Sequence, residues 1–257
     1  MVKAMPGVRY IYFAAAPNKE VTGITFNHRM YVIECLDADP LTGTWTEKGQ
    51  IKTGWESFSL DATILQHKGK LYYIWAQEDR NVNYESHSNI YIAEMENPWT
   101  LRTKPVMLTQ PLLDWEIKIF WVNEGPAILK KNGKIFLTYS ASATDENYCM
   151  GMLVVNENDD LLDPKSWKKL EKPVFKTSYK NKQYGPGHNS FTVSEDGMKD
   201  LLVYHARNYT DIEGDPLYDP NRHTRVQVIE WDKDGFPIFG EPVMDTRNVD
   251  FDSLRKK

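Results

Sequence analysis

The feature that most constrains the fold is a repeat that recurs about every 64 residues along this 257-residue chain. Each copy contains a run of β-branched and aromatic residues that ends in small or polar ones: YIYFAAA (10–16), LYYIWAQ (71–77), IFLTYSA (135–141) and LLVYHAR (201–207). A second apolar run follows each of them, and then a Pro-containing turn before a Trp or Phe. Self-similarity at such a period is typical of solenoids and propellers. One supersecondary unit is therefore copied along the chain.

In three of the four units a further strand and a turn precede the repeated run. These strand-turn-strand segments span 60–76, 123–139 and 188–205. In each, a Lys-Gly, Asn-Gly or Asp-Gly pair separates two apolar runs, which is a strong hairpin signal. Four antiparallel strands per unit predict an all-β protein of the β-propeller type with long inter-strand loops.

The repeats predict a single β-propeller catalytic domain over residues 1–257, a length that such folds commonly reach as one unit. Blade-like repeats are expected at about 9–55, 56–118, 119–183 and 184–245, followed by a charged tail at 246–257. The first unit has too few residues before Tyr10 to hold an inner strand. We therefore expect part of the propeller to be missing at the N-terminus or supplied from elsewhere. A homo-oligomer that completes the open propeller is one possibility, because exposed strand edges tend to pair.

The charge and hydropathy of the chain argue against binding to nucleic acid and against a membrane span. The net charge is -5 without a basic block, which argues against nucleic acid. There is no apolar run near 18 residues and no charged-then-apolar leader, so we expect no membrane span and a cytoplasmic location.

Cys35 and Cys149 lack metal-ligand spacing and are expected to be buried structural thiols.

Three polar residues occupy corresponding places at the starts of the predicted inner strands. Asp61, Glu124 and His188 lie 10, 11 and 13 residues before their aligned apolar runs. Any one of them alone is most simply a solvated strand-end residue, but three blades presenting them together predict a polar site at one mouth of the channel. Two carboxylates that face one pocket are the minimal equipment for cleaving a glycosidic bond.

The chain is also rich in aromatic residues, with 8 Trp and 14 Tyr. Most are expected to fill the cores between strands. Sugar rings also pack on aromatic faces, and the two candidates for substrate contact are Trp75 and Trp121.

Five motifs together resemble glycoside hydrolase family 43, whose members are five-bladed propellers acting on arabinose- and xylose-containing polysaccharides. They are SLDATIL (59–65), VNEGPAIL (122–129), TYSASAT (138–144), YGPGHNSF (184–191) and YHAR (204–207), in the family's order and spacing. The α-L-arabinofuranosidase branch is the most similar. The resemblance implies a five-bladed propeller that here lacks blade one and the first strand of blade two.

The resemblance also implies roles for individual residues. Glu124 matches the general acid, and Asp61 matches the aspartate that raises the pKa of that acid. His188 matches a histidine that in many members holds a hydrated Ca²⁺ or related ion at the propeller centre, although the chemistry needs no cofactor. Arg207 matches an arginine that reaches the sugar.

The family's general-base aspartate belongs to the first blade and has no counterpart in this chain, because the first aspartate is Asp37 in an outer-strand turn. Three interpretations stay open. The chain is an inverting, arabinofuranosidase-like hydrolase, or a β-xylosidase, of the kind that degrades hemicellulose, with a base supplied from elsewhere. It is a catalytically impaired propeller that binds arabinose or xylose oligosaccharides. Or it is a fragment of an ordinary enzyme.

Overall fold

The computed structural model describes residues 7–21, 26–82 and 87–245, and the predicted tail at 246–257 lies outside them. The described residues form seventeen β-strands and three short 3₁₀ turns, with no α-helix among them. The all-β prediction is confirmed. The 3₁₀ turns are Lys19–Val21, Pro164–Ser166 and Pro216–Tyr218.

The strands form four successive antiparallel sheets and one short terminal hairpin, and each of the four sheets lies within one of the predicted repeats. In chain order they are β1 (Arg9–Ala15), β2 (Arg29–Cys35) and β3 (Trp45–Gln50); β4 (Ser59–His67), β5 (Lys70–Gln77), β6 (Asn89–Asn97), β7 (Thr100–Leu101) and β8 (Val106–Thr109); β9 (Asn123–Lys131), β10 (Lys134–Ala141), β11 (Cys149–Asn156) and β12 (Lys168–Lys169); β13 (Tyr184–Val193), β14 (Asp200–Arg207) and β15 (His223–Val228); and the hairpin β16 (Glu230–Trp231) with β17 (Pro237–Ile238).

The inner hairpins form where the sequence predicts them. The turn between β4 and β5 places Lys68 and Gly69 at φ 47° and 76°, and the turn between β9 and β10 places Asn132 and Gly133 at φ 54° and 70°. Two consecutive positive φ values define the tight hairpin turn whose twist matches that of the flanking strands. Asn and Gly tolerate this region, which is why such pairs stop one strand and start the next.

Neighbouring sheets pack face to face through three apolar clusters. One lies between the first and second sheets around Tyr73, one between the second and third around Ile74 and Leu137, and one between the third and fourth around Phe136 and Phe175. The second and third sheets therefore bury both faces, which explains the unbroken apolar runs of β5 and β10. Among the described residues the first sheet has three strands and begins with β1. The number of blades and the loss of blade one stay predictions.

Both cysteines are buried and unpaired, as the sequence predicts. Burial raises the pKa of the Cys149 thiol to about 12. A thiol with so high a pKa holds almost no thiolate near neutral pH, so Cys149 serves packing rather than chemistry.

Candidate active site

The three candidate residues lie in the same irregularity in three different strands. At this point each inner strand has one residue more than its partner: between Leu60 and Thr63 in β4, between Glu124 and Ala127 in β9, and between Gly187 and Ser190 in β13. Asp61 and His188 take left-handed φ values of 55° and 44°, and in β9 the residue after Glu124 does so at 56°. An extra residue of this kind bends the strand and re-aims a side chain. Non-glycine residues in this region are uncommon and concentrate at functional sites.

The bulges bring Asp61, Glu124 and His188 together. A side-chain oxygen or nitrogen of each lies within 4.8 Å of one from the others. The backbone N–H of Gly125 donates to Asp61 Oδ2 at 3.1 Å, and His188 Nε2 lies 3.8 Å from Asp61 Oδ1. A Cβ on Gly125 would make only ordinary contact with the His188 ring, at 3.4 Å, so the positive φ of 56° is what favours glycine beside the glutamate. The predicted convergence of the three residues is found in the structure.

Tyr148, which immediately precedes β11, holds the glutamate from the other side. Its hydroxyl donates to Glu124 Oε1 at 2.6 Å. Burial and the neighbouring carboxylate raise the pKa of Tyr148 well above its ordinary value, which keeps the hydroxyl protonated as a donor. A Cβ on Gly187 would fall 2.4 Å from the Tyr148 ring. The glycine before His188 thus makes space for the tyrosine.

The pKa of Glu124 is raised above its ordinary value, first by burial and second by the negative charge of Asp61. Electrostatic interactions with His188 and Arg222 and the hydrogen bond from Tyr148 oppose this rise without reversing it. Burial disfavours the charged form of a carboxyl group, and a nearby like charge does the same. The environment therefore favours a protonated Glu124, which is the form that a proton donor needs.

Two further residues act on this group: His205 contacts Tyr148, and Arg222 acts on Glu124 through its charge. The His205 ring stacks on Tyr148 with centroids 5.5 Å apart. Burial, followed by the charge of Arg222, lowers the pKa of His205 to about 3, so this ring is neutral at ordinary pH. Arg222 donates to the carbonyl of Leu217 and acts on both His205 and Glu124 through its charge. Sequence reasoning missed all three residues. Tyr148 and Arg222 lie outside the repeated runs, and His205 lies within the fourth run, LLVYHAR, but was not singled out there.

The start of β9 is anchored by a buried glutamate that sequence reasoning also missed. Glu116 is 0% exposed. It accepts hydrogen bonds from the backbone N–H groups of Leu112 and Leu113 and from the side chains of Asn123, Tyr139 and Lys169. Asn123 directly precedes Glu124 in β9, so this network holds the strand end from which the candidate acid projects. A buried charge of this kind is tolerated only where it is paired and hydrogen-bonded.

Arg207, which the resemblance predicts to reach the sugar, is directed into the protein. It is 1% exposed, and its guanidinium donates to the carbonyls of Thr144 and Pro216 and pairs with Asp219 at 3.2 Å. These contacts tie the end of β14 to the segment that leads to Arg222. The structure therefore argues against a contact of Arg207 with a sugar, because its donors are directed inside the protein.

The two tryptophans that were candidates for substrate contact differ in their exposure. Trp75 is 0% exposed in the cluster between the first and second sheets, where its Nε1 donates to Gln77. The prediction that it contacts substrate is wrong, because its side chain is enclosed between the first and second sheets. Trp121 is half-buried just before β9, and its carbonyl accepts from the backbone N–H of His87. Its role in substrate binding stays a prediction.

The cluster fits direct Ca²⁺ coordination poorly. Calcium takes roughly six to eight oxygen ligands, whereas the group formed by Asp61, Glu124 and His188 offers two carboxylates and one imidazole. Gly125 and Tyr148 already engage one oxygen of each carboxylate. An ion near His188 stays a prediction, and no step below depends on it. In the part of the chain that is described, no helix is long and apolar enough to cross a membrane.

Successive face-to-face antiparallel sheets, with acidic residues from neighbouring inner strands meeting at one end, define an all-β protein of the propeller class with a paired carboxylate. The chain belongs to Glycosyl hydrolases family 43, whose family profile matches residues 3–237. In the crystal structure of an alpha-L-arabinofuranosidase from Lactobacillus brevis, 75% of that chain aligns with 95% of this one, at 62% identity and a TM-score of 0.90.

Curated relatives carry similar names. An Extracellular exo-alpha-(1->5)-L-arabinofuranosidase from Streptomyces avermitilis is 56% identical over 239 residues, and Alpha-L-arabinofuranosidase 43 from Humicola insolens is 51% identical over 236 residues. The matches cover 93% and 92% of this chain but 48% of each relative, so the chain spans about half their length. The expectation of a cytoplasmic location is contradicted, because the Streptomyces relatives are named as extracellular enzymes.

Proposed function

We propose that this chain carries the acid half of an α-L-arabinofuranosidase-like glycoside hydrolase, with Glu124 as general acid and Asp61 as the residue that keeps its pKa high. The observation that carries the proposal is the half-buried side chain of Glu124, whose pKa is raised, in one group with Asp61 and His188. The arabinofuranosidase names of relatives at 51–56% identity support arabinosides as the substrate class.

The hydrogen bond from Tyr148 to Glu124 Oε1 leaves Oε2 available to carry the acidic proton. In the proposed reaction this proton passes from Oε2 to the departing glycosidic oxygen. Asp61 is poorly placed to be the base of an inverting reaction. Its carboxylate lies within 4.8 Å of that of Glu124, whereas inverting enzymes separate their two carboxyl groups by roughly 6.5–9.5 Å to admit the attacking water. The base is therefore a carboxylate outside this group.

Turnover of an activated aryl α-L-arabinofuranoside, with and without added azide, tests the proposal. If the acid is in place and the base is lacking, azide should raise turnover by replacing the base-activated water, and NMR should show a glycosyl azide of inverted configuration. Turnover without azide, giving a sugar of inverted configuration, would support a complete site. An α-configured product would contradict the inverting mechanism. A β-D-xyloside assayed in parallel separates the xylosidase alternative.

A second function, glycan binding without catalysis, is favoured by the lack of a suitably spaced second carboxylate in the group that the described residues form. It predicts saturable binding of arabinose or xylose oligosaccharides together with no turnover, even with azide. Either function takes an arabinose- or xylose-containing glycan as its partner. A homo-oligomer that completes the site predicts that the solution mass and the activity rise together with protein concentration.

Asp61→Asn should shift the basic limb of the pH profile of kcat/KM downward by about one unit. Asn retains an acceptor for the Gly125 N–H but removes the negative charge that raises the pKa of Glu124. With that charge gone the pKa of Glu124 falls, so the acid loses its proton at a lower pH. The profile should be measured on a substrate with a poor leaving group, for which protonation limits the rate. An unchanged basic limb would contradict the role of Asp61.

Tyr148→Phe should shift the same limb in the opposite direction. The Tyr148 hydrogen bond stabilises the ionised carboxylate and lowers the pKa of Glu124, so its removal raises that pKa and moves the basic limb to higher pH. Tyr10→Phe, which removes a tyrosine-to-glutamate hydrogen bond to Glu34 in the first sheet, is the control and should leave the limb in place. A downward shift in Tyr148→Phe would show that the hydroxyl does not stabilise the carboxylate.

A further inference from the structure

One buried arginine lies where two loops meet. Arg207 is the last residue of β14. Its guanidinium donates to the carbonyl of Thr144, in the loop between β10 and β11, and to the carbonyl of Pro216, in the loop between β14 and β15. Its Nε also lies 3.2 Å from Asp219 Oδ1 in the second of these loops. We name these three contacts the arginine tie.

Each of the two loops ends on a residue that acts on the candidate acid. The short loop, residues 142–148, ends at Tyr148, whose hydroxyl donates to Glu124. The long loop, residues 208–222, ends at Arg222, which directly precedes β15 and acts on Glu124 through its charge. Neither residue lies within a strand, so the placement of each depends on the rest of its loop. The arginine tie joins the loops that carry both.

The carboxylate of Asp219 orders the long loop around the tie. The Tyr209 hydroxyl lies 2.9 and 2.8 Å from its two oxygens, and Oδ1 also accepts the backbone N–H of Asn221 at 2.9 Å. The Asn221 side chain donates in turn to the Tyr209 hydroxyl. Arg222 comes next and donates to the Leu217 carbonyl at 3.2 Å. The long loop therefore has its own hydrogen-bonded frame, as compact functional loops often do.

Arginine suits this place better than lysine does. A buried charge is costly unless it is paired and hydrogen-bonded, and the tie gives Arg207 one carboxylate and two carbonyls. The planar guanidinium can bond in several fixed directions at once, whereas an ammonium is a point charge. The short loop belongs to the third sheet and the long loop to the fourth. One side chain therefore links the site-facing loops of two neighbouring sheets.

We propose that Arg207 is a positioning residue, which couples the two loops so that Tyr148 and Arg222 are held against Glu124 together. The consequence for the reaction rests on the proposed function of Glu124 as the acid, whereas the coupling of the loops does not. Release of the tie in one loop should therefore loosen the other loop as well.

Amide hydrogen exchange of the full chain, read by mass spectrometry, tests the coupling without any turnover. The Ala143 and Tyr148 N–H groups are hydrogen-bonded within the protein, so they report on the short loop. Arg207→Lys keeps the charge but cannot bond both carbonyls in the same way. It should raise exchange about tenfold in the short loop as well as in the long one, the effect of losing one charge-assisted hydrogen bond.

Asp219→Asn tests the same coupling with a milder change, and it decides the question if Arg207→Lys does not fold. Asparagine keeps an acceptor for the Tyr209 hydroxyl and for the Asn221 N–H but removes the charge that faces Arg207. Exchange should again rise in both loops. A rise confined to the long loop, or no rise in either, would overturn the coupling.

Asp200→Asn is the matched control. Asp200 begins β14, at the opposite end of that strand from Arg207. Its carboxylate also pairs with a cation of the third sheet, Lys131, and also accepts from an aromatic side chain, Trp231. It should leave exchange in both loops unchanged. A rise in the short loop equal to that in Asp219→Asn would show general loosening between the sheets and would overturn the proposal.

Turnover, with azide present where it is required, tests the consequence for the reaction. Arg207→Lys should lower kcat on an arabino-oligosaccharide about tenfold with little change in KM, because proton donation occurs only in the transition state. The loss should be much smaller on a 4-nitrophenyl arabinoside, whose leaving group needs no proton. Equal losses on the two substrates would make the tie merely structural and overturn the positioning role. Coupled loops in a protein without turnover on either substrate would retain the coupling and reject the hydrolase.

Discussion

Glu124→Gln is expected to lower kcat/KM on an arabino-oligosaccharide by roughly 10²- to 10⁴-fold, the contribution of a positioned general acid. Glutamine preserves the size of the side chain and an acceptor for the Tyr148 hydroxyl but has no proton to give to the leaving oxygen. The loss should be much smaller on a 4-nitrophenyl arabinoside, because that leaving group departs without protonation. The contrast between the two substrates identifies the acid role and not merely a requirement for Glu124.

The measurement is kcat/KM for both substrates in wild type and variant, with azide present if turnover requires it. Glu195→Gln is the control, since Glu195 is exposed in the β13–β14 turn, and it should change neither rate. Equal losses on the two substrates would assign Glu124 to substrate binding or to folding. An unimpaired oligosaccharide rate would remove Glu124 from the reaction.

Glu116→Ala is expected to lower the free energy of unfolding by about 3–5 kcal/mol, the effect of breaking a buried charge pair from one side. The substitution removes the carboxylate that pairs with Lys169, which keeps only the Gln110 carbonyl as an acceptor, and leaves the backbone N–H groups of Leu112 and Leu113 without theirs. Burial already lowers the pKa of Lys169 despite the glutamate beside it. Without Glu116 that ammonium is more costly to bury.

Urea unfolding measures this loss, and Lys52→Ala is its control. Glu56 pairs with Lys52 at 3.3 Å, but both side chains are mostly exposed, and such pairs contribute less than about 1 kcal/mol. Adding Lys169→Met to Glu116→Ala should recover part of the stability, because no unpaired charge is then buried. A loss in Glu116→Ala no larger than that in the control would show that the network does not anchor β9.

Local patterns predicted the hairpins and the placement of the candidate residues, because both depend on neighbours in sequence. Asn132, Gly133 and Gly69 adopt the positive φ values that their residue types tolerate, and Lys68 takes such a value next to Gly69. Asp61, Glu124 and His188 occupy equivalent positions in a repeated unit, so equivalence in sequence became proximity in space. The prediction for Trp75 failed because composition does not say which face of a strand meets the next sheet.

The sequence by itself determined the all-β class, the repeated antiparallel unit and the family, since these follow from strand periodicity, turn chemistry and motifs that are contiguous in the chain. Only the tertiary structure decided the state of the acid. The pKa of Glu124 depends on burial, on Asp61 from another sheet and on Tyr148 and Arg222 from distant loops. Electrostatic and desolvation effects act through space. Residues far apart in the chain therefore set the proton affinity of one carboxyl group, which local sequence could not predict.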